Sequence, residues 1–204
     1  MDREEKIVKE LKEDWFKDHK ATVKKYDEIT VLDWRKPGTN NYAVRYVLDG
    51  YRMYISGDIG EAVFNLTWKA TIESFNDLNI GYFVSKMAAG EKTTYESEVA
   101  EKALIEWKNE RLEEPEAFFN SEAEQAEFEI LVDRLIDAAN ECNSTEQWAW
   151  QFVNGEYEED ISKFDCDYWE WMYNIGNAVP YHAYGFLIGL QMAAKQLKES
   201  EVEQ

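Results

Sequence analysis

The stretch YAVRYVLDGYRMYISGDIGEAVFNLTW, residues 42–68, decides how the chain folds. Tyr42 to Leu48 and Tyr51 to Ser56 flank Asp49-Gly50, a dipeptide that favours the tight turn of a β-hairpin. Gly57-Asp58-Ile59-Gly60 follows, a turn that wants the positive φ glycine adopts without strain, and Ala62 to Trp68 reads as the next strand. Upstream, Ile29-Thr30-Val31-Leu32 is a β-branched run stopped by Lys36-Pro37-Gly38. Four strands in succession, joined by short turns, predict an antiparallel meander with one face covered by helices.

The flanks supply those helices. Asp2 to about Lys25 is amphipathic, with Ile7, Leu11 and Trp15 at i, i+4 and i+8. Beyond Thr71 the periodicity is helical: Thr71 to Asn79, Tyr82 to Ala89, and Thr94 to Glu113, the last stopped by Pro115. Ser121 opens another helix, with Glu124 at the capping-box position and Phe128, Leu131, Val132, Leu135 and Ala139 on its apolar side. A short helix runs from Ser144 through Phe152. Tyr157, Ile161, Phe164, Tyr168, Trp171 and Ile175 then recur every three or four residues, which predicts one helix over Gly155 to Ile175. A final helix starts after Pro180, where Gly185 and Gly189 permit close approach to a neighbour. The expected fold is α+β. An N-terminal helix and a meander of about four strands fill residues 1–90, and a mostly helical acidic region, 91–204, packs on them as one continuous domain.

Charge divides the chain unevenly. Its 204 residues carry 42 acids against 22 bases, a formal net of -20. Residues 1–90 hold 15 acids and 14 bases; residues 91–204 hold 27 acids and 8 bases. Concentrating charge in this way costs folding free energy through self-repulsion and points to an interaction surface. It argues against direct nucleic-acid binding, which needs a surplus of Lys and Arg. Aromatics at 15% argue against a disordered acidic tail. No apolar run is long enough to span a membrane, and Cys142 and Cys166 suggest no disulfide framework, so a cytoplasmic setting is expected.

No residue pattern announces catalysis. His19 and His182 are isolated, the cysteines are unpaired in motif, and Asp165-Cys166-Asp167 lacks the glycine and closing glutamate of a calcium loop. Nucleophile-elbow, dinucleotide and Walker motifs are all missing. The expectation is a non-enzyme with no metal and no cofactor.

The acidic segment is better defined. On a helix over 155–175 the apolar stripe turns Glu156, Glu159, Asp160, Asp167 and Glu170 outward together with Lys163, with the carboxylates of Glu158 and Asp165 beside them; Glu129, Asp133 and Asp137 form a second row. Carboxylates four positions apart on a helix rise by about 6 Å, close to the separation of phosphates along a nucleic-acid strand. These ten residues are the candidate partner-binding set. A plain solvated face has the same pattern. Nearby, Trp148, Trp150, Tyr157, Tyr168, Trp169 and Trp171 exceed what one stripe can bury, which suggests aromatic anchors of a protein interface.

The segment Tyr51 to Trp68 resembles accessory proteins of phages and prophages from Gram-positive bacteria, in which a strand, a Gly-Asp-x-Gly turn and an aromatic strand recur. Tyr173 to Leu197 is similar to the end of the same proteins. The resemblance covers residues 42–90 and 171–197. It implies a mobile-element setting, where acidic proteins inhibit host defence nucleases, and thus an anti-CRISPR type of activity in the host cytoplasm. The implied partner is a basic nucleic-acid-binding protein, a Cas effector nuclease, held through the acidic rows as a DNA mimic. A structural or regulatory phage protein that binds a partner, or a second copy of itself, through its aromatic surface is the alternative.

Overall fold

A computed structural model describes residues 1–202, the Glu201 side chain excepted. In chain order its first elements are α1 (Arg3–Glu10), β1 (Lys20–Tyr26), β2 (Ile29–Arg35), β3 (Val44–Asp49), β4 (Arg52–Gly57), β5 (Ala62–Asn65), α2 (Ile80–Ser85) and β6 (Met87–Ala89). Then come β7 (Thr94–Tyr95), α3 (Ser97–Glu113), α4 (Pro115–Phe118), α5 (Glu122–Glu141), α6 (Thr145–Gln147), α7 (Glu158–Phe164), β8 (Asn177–Ala178) and α8 (Tyr181–Val202). The fold is α+β, with more helix than strand.

Strands β1 to β6 form one antiparallel sheet in sequence order. The expected meander gains a strand at each edge. β1 replaces the second half of the expected N-terminal helix, which instead ends in a wide π-type turn, Leu11–Trp15. Thr22 and Val23 are poor reasons to continue a helix, and Ala21 and Val23 turn inward opposite Trp34 and Leu32 of β2. At the hairpin, Asp49 pairs with Arg52, so Gly50 and Tyr51 are the two central residues. Gly50 takes φ +59 and Tyr51 keeps a negative φ, the pattern of a type II′ turn.

One face of the sheet is apolar because alternate residues of every central strand are apolar. Trp34 lies opposite Val44, Leu32 opposite Tyr46, Leu48 opposite Met53, and Met53 opposite Phe64. All are buried beneath α1, α2 and α8. The Tyr46 hydroxyl donates to the Phe186 carbonyl of α8 at 2.9 Å, and burial pushes this phenol well above its ordinary pKa. Gln196 ties the same helix to the edge strand: its Oε1 accepts from the Ala21 amide at 2.9 Å and its Nε2 donates to the His19 carbonyl.

The chain forms two compact units where one continuous domain was expected. The first comprises residues 1–92 and 179–204, the second Thr93–Ala178. The acidic helical region therefore ends at 178 and not 204, because α8 carries the apolar residues Ala183, Phe186, Leu187, Leu190 and Ala193 that cover the sheet. Division by units sharpens the charge contrast. The first holds 19 acids and 17 bases, the second 23 acids and 5 bases.

The second unit has its own core, in which α3 and α5 pack around Leu104, Trp107, Phe128, Val132 and Leu135. The Ser121 hydroxyl caps α5 by accepting from the Glu124 amide, while the Glu124 carboxylate accepts from the Asn120 amide. Trp148 is wholly buried, its Nε1 donating to the Met172 carbonyl at 2.7 Å. The helix expected over 155–175 is broken. A π-type segment, Trp148–Glu156, leads into α7, and single turns at Tyr168–Glu170 and Met172–Asn174 follow. The break has a local cause: Asp165 is extended, and its carboxylate accepts from the Asp167 amide at 3.0 Å, an Asx turn that ends the helix.

Candidate functional site

The ten carboxylates proposed from sequence all lie in the second unit, but they differ in what surrounds them. Glu156, Glu158, Glu159, Asp167 and Glu170 are exposed. Asp133 and Asp137 are exposed on α5, where Lys108 donates to Asp133 at 2.8 Å. Glu129 is half-buried and accepts from the Gln125 side chain of its own helix. Asp160 lies 3.5 Å from Arg134 and 3.3 Å from Lys163, so its charge is largely compensated inside the unit.

Asp165 does not belong on a binding face. Its side chain is only 13% exposed and sits beside Arg111 at 3.6 Å. It accepts hydrogen bonds from Trp171 Nε1 at 3.1 Å and from the Asp167 amide. Two donors and a neighbouring cation converge on one carboxylate because it closes the turn after α7, and that is a structural duty.

The geometry of the rows also needs revision. Even four-residue spacing exists on α5, where Glu129, Asp133 and Asp137 share an unbroken 20-residue helix. The second row is spread over a π-type segment, the seven-residue α7 and a single turn, so its carboxylates do not rise in regular steps. A third row went unnoticed in the sequence. Glu106, Glu110 and Glu113 lie at i, i+4 and i+7 on α3. Only their spacing could have revealed them, among the many glutamates between the apolar positions.

Electrostatically the unit has little with which to neutralise itself. Each of its five cations is engaged: Lys102 with Glu106, Lys108 with Asp133, Arg111 with Asp165, Arg134 with Asp160, and Lys163 with Glu127 and Asp160. The two carboxylates hold the Lys163 ammonium above its ordinary pKa, Glu127 contributing most. Most of the 23 carboxylates therefore face no cation of this unit.

Of the aromatic residues singled out in the sequence, Trp148, Tyr157 and Tyr168 are buried and Trp171 is half-buried. Trp150 and Trp169 are 71% and 57% exposed, large apolar surfaces left in contact with solvent.

Among the described residues no group of three or more His, Cys, Asp or Glu is arranged to hold a metal ion, and no helix is long and apolar enough to cross a membrane. Cys142 is buried and Cys166 exposed, and they form no disulfide. No protein-family model, curated protein or solved structure matches the chain.

Proposed function

We propose that residues 93–178 bind a basic, nucleic-acid-binding protein and inhibit it by occupying the groove that nucleic acid would fill. The partner class that fits is a host defence nuclease of the CRISPR type, and the setting is a phage or prophage, as the resemblance of Tyr51 to Trp68 implies. One observation carries the reading: a folded unit with 23 acids and 5 bases, whose bases are all held in internal ion pairs. A surface of this kind stores electrostatic repulsion that a Lys- and Arg-lined groove relieves on binding. The exposed carboxylates Glu156, Glu158, Glu159, Asp133, Asp137, Asp167 and Glu170 are the contacts; Asp160 and Asp165 support the unit from within.

The test is competition. The protein should block DNA binding by a Cas effector at one-to-one stoichiometry, excess duplex should displace it, and the protein alone should bind no DNA. Turnover of many effector molecules by one inhibitor, or inhibition indifferent to excess DNA, would contradict it. Exposed Trp150 and Trp169 favour the second reading, a partner held through an aromatic surface. Under that reading Trp150→Ala and Trp169→Ala abolish binding and carboxylate changes do not.

A further inference from the structure

We propose that the groove between α5 and α7 is a docking site for a basic, amphipathic helical segment of the partner, an inference that rests on reading the acidic unit as a surface for a basic protein. The groove has a volume of about 390 Å³, with Ala123, Ala126, Ile130 and Leu131 on one wall and Phe164 on the other. Small side chains at 123 and 126 leave the half-buried Phe164 accessible, while Leu131 is only 3% exposed at the base. Ile130 stands 61% exposed at the lip. A β-branched residue so placed favours neither the helix nor the core. One turn away on either side stand Ala126 and Glu127, and Asp133 and Arg134.

Ion pairs at two places tie the walls together. Lys163 of α7 lies 3.1 Å from Glu127 of α5, and Arg134 of α5 lies 3.5 Å from Asp160 of α7. They fix the width of the groove and use up both nearby cations. What remains beside the groove is negative: Asp137 lies two turns beyond Ile130 on α5, and Glu158 and Glu159 open α7, whereas Asp133, one turn beyond Ile130, is already paired with Lys108. A second copy of the chain is a poor occupant, since like-charged units repel. An amphipathic helix fits, because its apolar residues at i, i+3 or i+4, and i+7 supply roughly three anchors while its Lys and Arg meet the rim.

The experiment titrates the full-length protein with two synthetic peptides of identical composition. In one, leucines line a single helical face among lysines; in the other the same residues are scrambled. The ordered peptide is expected to bind on the order of tenfold tighter, since three seated leucines outweigh the shared charge attraction. Ile130→Glu and Ala126→Gln should reduce it to the level of the scramble. Both positions are exposed, so folding is not at stake, and circular dichroism checks this. Neutralising Glu156, Glu159, Asp167 and Glu170 should weaken both peptides alike. Equal affinity for the two peptides, with salt dependence intact, would overturn the groove and leave the charge reading standing. Discrimination by a neutralised variant that binds as tightly as wild type would overturn the charge reading instead. Self-association in sedimentation that Ile130→Glu abolishes would show a second copy to be the occupant and overturn the proposal.

Discussion

Trp171 Nε1 donates to the Asp165 carboxylate at 3.1 Å, and this bond separates the acids that hold the second unit together from those that face outward. Trp171 in turn meets Trp107 edge to face, with ring centroids 5.5 Å apart. The carboxylate thus anchors an aromatic pair at the edge of the core while Arg111 balances its charge.

Asp165→Ala strands the Trp171 N–H and the Arg111 guanidinium and removes the Asx turn. It should destabilise the second unit by about 2 kcal/mol. Asp167→Ala, two residues away and exposed, should stay within about 0.5 kcal/mol of wild type. Urea unfolding followed by tryptophan fluorescence compares them. Equal losses would show that the Asp165 bonds contribute nothing particular.

The two glycines of α8 should respond differently to alanine. At Gly189 a Cβ would lie 2.7 Å from the Tyr46 hydroxyl oxygen and 3.1 Å from the Trp34 ring, both rigidly held. Overpacking of that kind costs about 2 kcal/mol. At Gly185 the nearest atom, at 2.7 Å, is the terminal methyl of Ile59, which can rotate away. The gain in helix propensity, about 1 kcal/mol, offsets the adjustment there. Gly185→Ala should be near neutral in thermal melts and Gly189→Ala clearly destabilising. The reverse order would contradict the packing described for α8.

His19 gives the first unit a pH dependence. The side chain is 2% exposed, and its Nε2–H donates to the Tyr42 carbonyl at 3.2 Å. Burial holds its pKa below the ordinary histidine value, with Lys36 pushing the same way. A depressed folded pKa means that the unfolded chain takes up the proton first. The stability is therefore fully present above about pH 6.5 and is lost as pH falls through the folded value. The Asp33 carboxyl, held low chiefly by its hydrogen bond from Arg45, acts in a more acidic window. Urea midpoints should fall between about pH 7 and 5, and His19→Gln should flatten that slope. An imidazole NMR titration midpoint above the ordinary histidine value would contradict this.

Strand pairing around residues 42–68 was legible because alternation and turn residues are local signals. The helix expected to reach Lys25 failed because charged lysines hid a two-residue period: only Ala21 and Val23 mark the buried side of β1. The return of α8 to the sheet left no local trace, since nothing near Pro180 says which core an apolar helix will join. The charge excess survived intact as a property of the second unit, since summed charge does not depend on exact placement. The rows did not survive intact. A period of three and four over residues 157–175 cannot show that Asp165 will bond its own backbone and break the helix.

If exposed carboxylates of residues 93–178 meet a basic groove, affinity for an inhibited Cas effector must depend steeply on salt. Exposed charges are screened over about 8 Å at physiological salt, so raising salt from about 0.05 to about 0.5 M should weaken wild type by at least about tenfold, chiefly through a slower on-rate. The variant Glu156→Gln, Glu159→Gln, Asp167→Asn, Glu170→Gln should fold at least as well as wild type, since it carries less self-repulsion. It should bind weakly at low salt and show a flatter dependence. A well-folded variant that binds as tightly as wild type, with affinity unchanged from low salt to high, would contradict the claim.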